Sequence, residues 1–285
     1  MLTVYSIAMR FILPIIFLLG SISSRSQSNE VVNSIGMRFV EIQPGRMIVG
    51  KYQPTVSRGW GYDEKRKSEF PQILPESDFQ LAYQLAAAAA LLGFEVFIDQ
   101  PYYIGKFEVT QGEWKKIMTT NPSFFQGNKV DGNADQYPVE SVSFKDVQLF
   151  IKQLNKLDKE YIYRLPTEFE WEYAARAGAQ DDISWSEINK LAVIAADSPK
   201  PIGSKSANAW GLYDMLGNVW EWVDDFYNEK LFADPVPPKK AKEHVLKGAP
   251  FYGDVKNATY MTHAGGPGSN YDVGFRLVMV KKKVK

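Results

Sequence analysis

The sequence predicts an α+β domain with little regular secondary structure. Three observations predict it. Four segments open on a Ser or Thr cap and continue in helix formers, with caps at Ser77, Thr110, Ser143 and Thr167. Short alternating runs read as strands, and both kinds of element are scattered through long irregular connections. No internal repeat is visible, which leaves one mixed domain as the simplest architecture. Hydrophobic residues make up 45% of the 285 positions and aromatics 14%, enough to fill one sizeable core.

The elements follow in chain order. Residues 1–26 read as an export signal, with a cation at Arg10, an apolar run from Phe11 to Leu19, and a small-x-small pattern at Ser21–Ser23 or Ser24–Ser26. The apolar run is shorter than the roughly 20 residues a membrane helix needs. An uncleaved anchor is the rival reading. The expectation is a mature protein that begins near Gln27, has no stable membrane span, and is periplasmic or secreted. The domain proper is expected over residues 31–280, followed by a basic tail at 281–285. Val31 to Gly50 alternates around Pro44-Gly45 and predicts a β-hairpin. An insertion at about 51–97 interrupts it, first polar and aromatic, then helical from Ser77 to Gly93. "FEVFIDQPYYIGKFEVT" is strand material. "TQGEWKKIM" carries a capping box between Thr110 and Glu113. "SFKDVQLFIKQLNKL" places Val147, Phe150, Ile151 and Leu154 on one helical face. "YRLPTEFEWEYAARAG" repeats the box with Thr167 and Glu170, and Gly178 is its predicted stop. Beyond Gly178 only "HVLKG" and "GFRLVMV" read as strands.

Composition excludes several functions. Formal charge is zero and the pI is near 6.8, which gives no electrostatic basis for holding nucleic acid. There are no cysteines, so disulfides, thiolate metal sites, cysteine nucleophiles and a lipid-modified cysteine are all out. Two histidines, His244 and His263, leave little for a histidine-rich centre.

Six segments occur in a fixed order: "MRFVEIQPGRMIVG", "YYIGKFEVTQGEWKKIM", "PVESVSFKDVQLFIKQLN", "YRLPTEFEWEYAARAG", "NAWGLYDMLGNVWEWVDD" and "GFRLV". Together they resemble the formylglycine-generating enzyme (sulfatase-modifying factor) family, over roughly Met37 to Val280. The resemblance implies that family's variant of the C-type lectin fold. It also implies a copper(I) site held by two cysteines near the C-terminus, which here would fall in "HVLKGAPFYGDVKNATYMTHAGGPGSNYDVGFRLV". That region has no thiol, and the family's Arg-Gly-Gly-Ser-Trp-like turn reads Lys247-Gly248-Ala249-Pro250-Phe251. Copper and formylglycine-generating oxidase activity are therefore not expected. The three-histidine iron site of related members is also poorly matched.

"GLYDMLGNVWEWVDD" mixes acids, glycines and tryptophans. A hard cation such as calcium takes six to eight oxygens from carboxylates and backbone carbonyls. Asp214 and Glu221 offer carboxylates, and the turn between them can aim the Gly217 and Val219 carbonyls inward. The competing reading is an acidic turn whose carboxylates cap helices or pair with arginines. The resemblance implies a structural calcium ion at the same four positions, Asp214, Gly217, Val219 and Glu221.

Three functions remain open. One is a non-catalytic pseudoenzyme that binds or scaffolds an envelope protein, with the 51–97 insertion as its partner surface. A second is cysteine-independent chemistry, such as oxidative maturation of a metabolite or protein. It would draw on Tyr252, Asp254, Tyr260, His263 and Tyr271, or on a Met261–His263 pair sharing one face of a strand. The third is lectin-like capture of a glycan or peptide in a groove shaped by glycine-rich His263–Asp272.

Overall fold

The computed structural model describes residues 29–50, 93–231, 238–255, 258–266 and 268–282. The export segment and the predicted Ser77–Gly93 helix lie outside the described residues, apart from Gly93 itself. Eleven strands and four α-helices are described. In order they are β1 (Glu30–Val32), β2 (Arg38–Ile42), β3 (Gly45–Val49), β4 (Phe94–Ile98), β5 (Tyr102–Gly105), α1 (Gln111–Met118) and α2 (Phe144–Leu157). There follow β6 (Tyr161–Arg164), α3 (Glu168–Arg176), α4 (Trp185–Leu191), β7 (Trp220–Phe226), β8 (His244–Lys247), β9 (His263–Gly266), β10 (Val273–Phe275) and β11 (Val278–Lys281).

The central sheet runs β1-β2-β5-β11-β6, with every neighbouring pair antiparallel. Its strands alternate strictly, as a sheet buried on both faces requires. Phe39, Tyr163 and Met279 face one apolar cluster with Val147, Phe150, Ile151 and Leu154 of α2. Val40, Ile42, Tyr102, Ile104 and Val278 face the other, with Trp171, Ala174 and Ala175 of α3. A second sheet, β10-β7-β8-β9, has a parallel β10–β7 pair and shares Trp222 and Leu246 with the α2 cluster.

The two predicted capping boxes form, and the predicted Ser143 cap makes a third with Asp146. Thr110, Ser143 and Thr167 each accept from the backbone three residues on, and Glu113, Asp146 and Glu170 each return the bond. Two expectations fail. Strands β2 and β3 flank Pro44 but do not pair with each other, so there is no hairpin there. The hairpin is β1–β2, while β3 pairs with β4, whose residues 94–97 fall within the segment expected to be an insertion. Gly45 is packed against the Tyr173 hydroxyl of α3 so closely that an added Cβ would lie 2.1 Å from it. Helix α3 also turns one residue early: Ala177 takes the left-handed conformation at φ 47°, ahead of Gly178. Past Gly178 the chain is richer in structure than its sequence indicates, with α4, β7 and β9 all missed. Their short runs carry too little periodicity.

Phe150 is fully buried and stacks on Trp114 at 5.2 Å, whereas Leu149, one residue away, is 43% exposed. Phe150→Ala is expected to cost about 3–5 kcal/mol, and Leu149→Ala to stay within about 0.5 kcal/mol. Denaturant midpoints check both; equal losses would refute this placement of α2.

Candidate functional site

Two buried charge clusters share one tryptophan. The first centres on Arg276, between β10 and β11, which has no solvent exposure. Its Nε and Nη2 donate to Glu221 of β7, both at 2.6 Å. Nη2 also donates to the carbonyls of Tyr213 and Asp214, and Nη1 to that of Gly105. The Trp171 indole N–H adds a 2.7 Å bond to Glu221 Oε2. The predicted metal segment is thus wrapped around a guanidinium, and Glu221 is paired with an arginine as the competing sequence reading held.

The wrapping needs unusual backbone. Asp214 and Asn218 sit at φ 54° and 62°, a region that Asp and Asn tolerate better than other side chains. Gly217 sits at φ 77°, and a Cβ there would lie 2.2 Å from the Val193 carbonyl oxygen, so only glycine fits. Asp214 Oδ2 accepts from the Gly203 N–H at 2.6 Å, while its Oδ1 is buried with no hydrogen-bond partner. Glu108, unremarked in the sequence, is also fully buried here. It accepts from the Asn218 amide at 2.7 Å and from the Val219 N–H at 3.3 Å. Burial pushes its carboxyl well above the usual range, and the charges of Asp214 and Glu221 add to the shift. Burial likewise pushes Asp214 up to about 6.

Three carboxyl groups, Glu108, Asp214 and Glu221, therefore gather around one guanidinium. The partnerless Asp214 oxygen suits a hard ion. Among the described residues no three Asp, Glu or His side chains form a metal cage, so an ion would draw on backbone carbonyls such as those of Gly217 and Val219. Glu221 would share its oxygens with Arg276 and Trp171.

The second cluster lies on the other side of Trp171, whose ring is 5.6 Å from Lys247 Nζ. Lys247 is fully buried and donates to Glu172 at 3.1 Å and to the Tyr260 carbonyl at 2.9 Å. Glu172 also takes both Nε and Nη2 of Arg176. Glu168 lies 3.8 Å from Lys247 and 2.9 Å from His263 Nδ1. The sequence signal for this cluster was the Glu168, Glu172, Arg176 spacing of four, which stacks three charges on one helical face.

The other candidates are dispersed. Met261 precedes β9, so the shared strand face with His263 does not exist. Tyr252 donates to Asp272 at 2.5 Å and lies beside Tyr271, whereas the Tyr260 ring lies against Arg176. Gly265 and Gly266 shape no groove: a Cβ on Gly266 would lie 2.1 Å from the Trp222 ring, and one on Gly265 2.2 Å from Glu243. Gly266 lets β9, paired beside β8, lie against the Trp222 ring.

Residues 94–281 match the family described as the sulfatase-modifying factor enzyme 1-like domain. The chain belongs to this family. It is a cysteine-less member of the formylglycine-generating enzyme group. Chaperone protein LppX of Paenibacillus barcinonensis is 28% identical over 243 residues, covering 63% of this chain and 80% of that one. The formylglycine-generating enzyme of Mycobacterium tuberculosis is 33% identical over 110 residues, 32% of this chain. The match spans only 34% of that enzyme's length. The structure of PvdO from Pseudomonas aeruginosa superposes with a TM-score of 0.66 at 20% identity, covering 88% of this chain and 98% of that one. It shares the fold.

Arg276→Met leaves Glu221 buried without its cation and is expected to cost about 3–5 kcal/mol. Adding Glu221→Gln should recover part of that loss, since the two charges act as a pair. Trp171→Phe removes one bond to a charged acceptor and should cost about 1.5–3 kcal/mol. A double-mutant cycle by chemical denaturation checks this; additive losses would show that the pair is not coupled.

Proposed function

We propose that this protein is an exported, non-catalytic member of its family that binds or scaffolds a partner in the bacterial cell envelope. One observation carries the reading: a chain without cysteine has no thiolate for copper(I), which prefers sulfur donors. Both histidines have ring nitrogens already engaged. His263 Nδ1 is engaged with Glu168, and the His244 ring stacks on Phe144 at 3.4 Å with its Nδ1 3.1 Å from the Asp224 carbonyl. The turn that departs from the family pattern is packed into apolar surroundings through Ala249 and Phe251. A relative named as a chaperone supports a protein-binding role. The sequence of residues 1–26 supports export. With copper supplied, the purified protein is expected to form no aldehyde on a sulfatase-type cysteine peptide, as read by mass spectrometry. Turnover would overturn the reading.

The calcium ion belongs to the same proposal as a structural staple at Asp214, Gly217, Val219 and Glu221, holding the loop around Arg276 and doing no chemistry. Calcium added to chelator-treated protein should raise the thermal midpoint, by the equivalent of about 2.7 kcal/mol at a hundredfold excess over Kd. Asp214→Asn should abolish the rise. A midpoint unmoved by calcium in the native sequence would remove the ion from the proposal.

A further inference from the structure

The fold brings the basic tail to a second run of lysines. The Lys282 N–H donates to the Glu160 carbonyl and its Nζ to the Asp158 carbonyl, at 2.8 and 2.9 Å. Lys281 pairs with Tyr161 across β11 and β6. Residues 156–163 and 281–282 thus make one corner of the central sheet. Counted to the end of the sequence, residues 156–163 and 281–285 carry six lysines against two acids. One of the acids, Asp158, is buried, and its carboxylate accepts from the Tyr163 hydroxyl and from the N–H groups of Glu160 and Tyr161. Glu160 remains as the exposed acid. Glu41, beyond the Tyr103–Tyr161 ring pair, accepts from the Asn29 amide and the Tyr103 hydroxyl. Exposed cations elsewhere are paired: Arg46 with Glu95, Lys115 with Asp135 and Lys190 with Glu187. Here Lys156, Lys159 and Lys282 donate to neutral groups, the Gln153 amide oxygen and the Lys156 and Asp158 carbonyls. Two aliphatic side chains project from the same corner, Leu157 at the end of α2 and Ile162 on β6, which are 58% and 44% exposed.

We propose that this corner attaches the mature protein reversibly to an anionic phospholipid surface, with Leu157 and Ile162 entering the interface and the lysines meeting phosphates. The proposal goes beyond the binding-module reading and does not depend on which partner that module takes. Local charge sets the sign of the ligand, and the rest of the corner sets its class. A partner strand is excluded, because the free edge of β6 is already occupied. The Asn155 side chain bonds both the N–H and the C=O of Tyr163, at 2.8 Å each, and Asp158 takes the Tyr161 N–H. Single-stranded nucleic acid stacks its bases on open aromatic faces. The corner offers none, since Tyr163 is buried and Tyr161 is half-buried against Tyr103. A lipid interface uses both halves of the patch. Aliphatic side chains enter below the headgroups, and lysines lay their apolar stems along the boundary with their ammonium groups at the phosphates. Each contribution is weak alone, and two together give reversible attachment without a membrane span.

The test sediments the mature chain from Gln27, which lacks the apolar run at Phe11–Leu19, with two kinds of vesicle. One is phosphatidylcholine alone and the other phosphatidylcholine mixed with phosphatidylglycerol. Binding to the anionic vesicles alone is expected. Salt at about 1 M, where the Debye length falls to about 3 Å, should release the protein. Each lysine lost at the surface weakens binding about fivefold, so Lys156→Gln, Lys159→Gln and Lys281→Gln together should weaken it about a hundredfold. Leu157→Gln with Ile162→Thr should weaken it about tenfold or more and keep the preference for anionic vesicles. Thermal midpoints near the native value would show that both combinations fold, and the single variants Lys281→Gln and Ile162→Thr repeat the comparison if either midpoint moves. No binding to anionic vesicles, or binding unchanged by the lysine substitutions, would overturn the proposal. So would binding unchanged by the aliphatic substitutions, since ionic contact alone would then account for it. Retention on heparin or duplex DNA without vesicle binding would replace the lipid with a soluble polyanion.

Discussion

Arg276 is a guanidinium without solvent, and the C-terminal half of the chain is arranged to satisfy it. Its partners come from β5, from the loop at Tyr213–Asp214 and from β7. One side chain therefore holds the central sheet, the Asp214–Val219 loop and the second sheet in register. A pair of this kind is no bargain in absolute terms, because desolvating two ions offsets most of their attraction. What it provides is uniqueness: any arrangement that separates Arg276 from Glu221 leaves a bare charge in an apolar interior. For a fold with so much irregular backbone, that penalty selects one loop path among many.

Trp171 extends the constraint. Its N–H is bound to Glu221 and its ring lies against Lys247, so helix α3 sees both clusters through one side chain. Glu168, Glu172 and Arg176 then anchor β8, the Tyr260 turn and β9. These are ionisable groups in the numbers usual for an active site, yet nearly all are occupied in holding strands and loops together. Charge clustering alone would have pointed to catalysis here; the partner of each group points to architecture instead. The departure from that pattern is Asp214, with one buried oxygen left without a hydrogen-bond partner.

The surface divides differently from the core. The charged interior faces inward, while the loops that carry Phe124, Tyr252 and Tyr271 bring rigid aromatic area to the outside. The same segment after β8 contributes both Lys247 to the buried cluster and the exposed Tyr252 to the surface. The residues that set loop geometry in the interior and the aromatics exposed at the surface are thus distinct.

How much was legible follows from the range of each interaction. Capping boxes, helical faces and the period-two strands of the central sheet are local, so α1, α2, α3 and the bracketing strands were readable from neighbours in the chain. The family blocks and the lack of any thiol were equally plain. Strands β7 and β9 were not, since glycine-rich β9 has meaning only against the Trp222 ring it lies on. Nor was the β3–β4 pairing, which joins segments separated by more than forty residues of sequence. By itself the sequence determined the fold class, the starts of α1, α2 and α3 and the exclusion of thiol chemistry, because these depend on residue identity at short spacing. The tertiary structure alone decided that Glu221 answers Arg276, that Glu108 joins them, and that Lys281 and Lys282 share a corner with Lys156 and Lys159. Those facts depend on which remote groups are brought together, and only chain folding makes them neighbours.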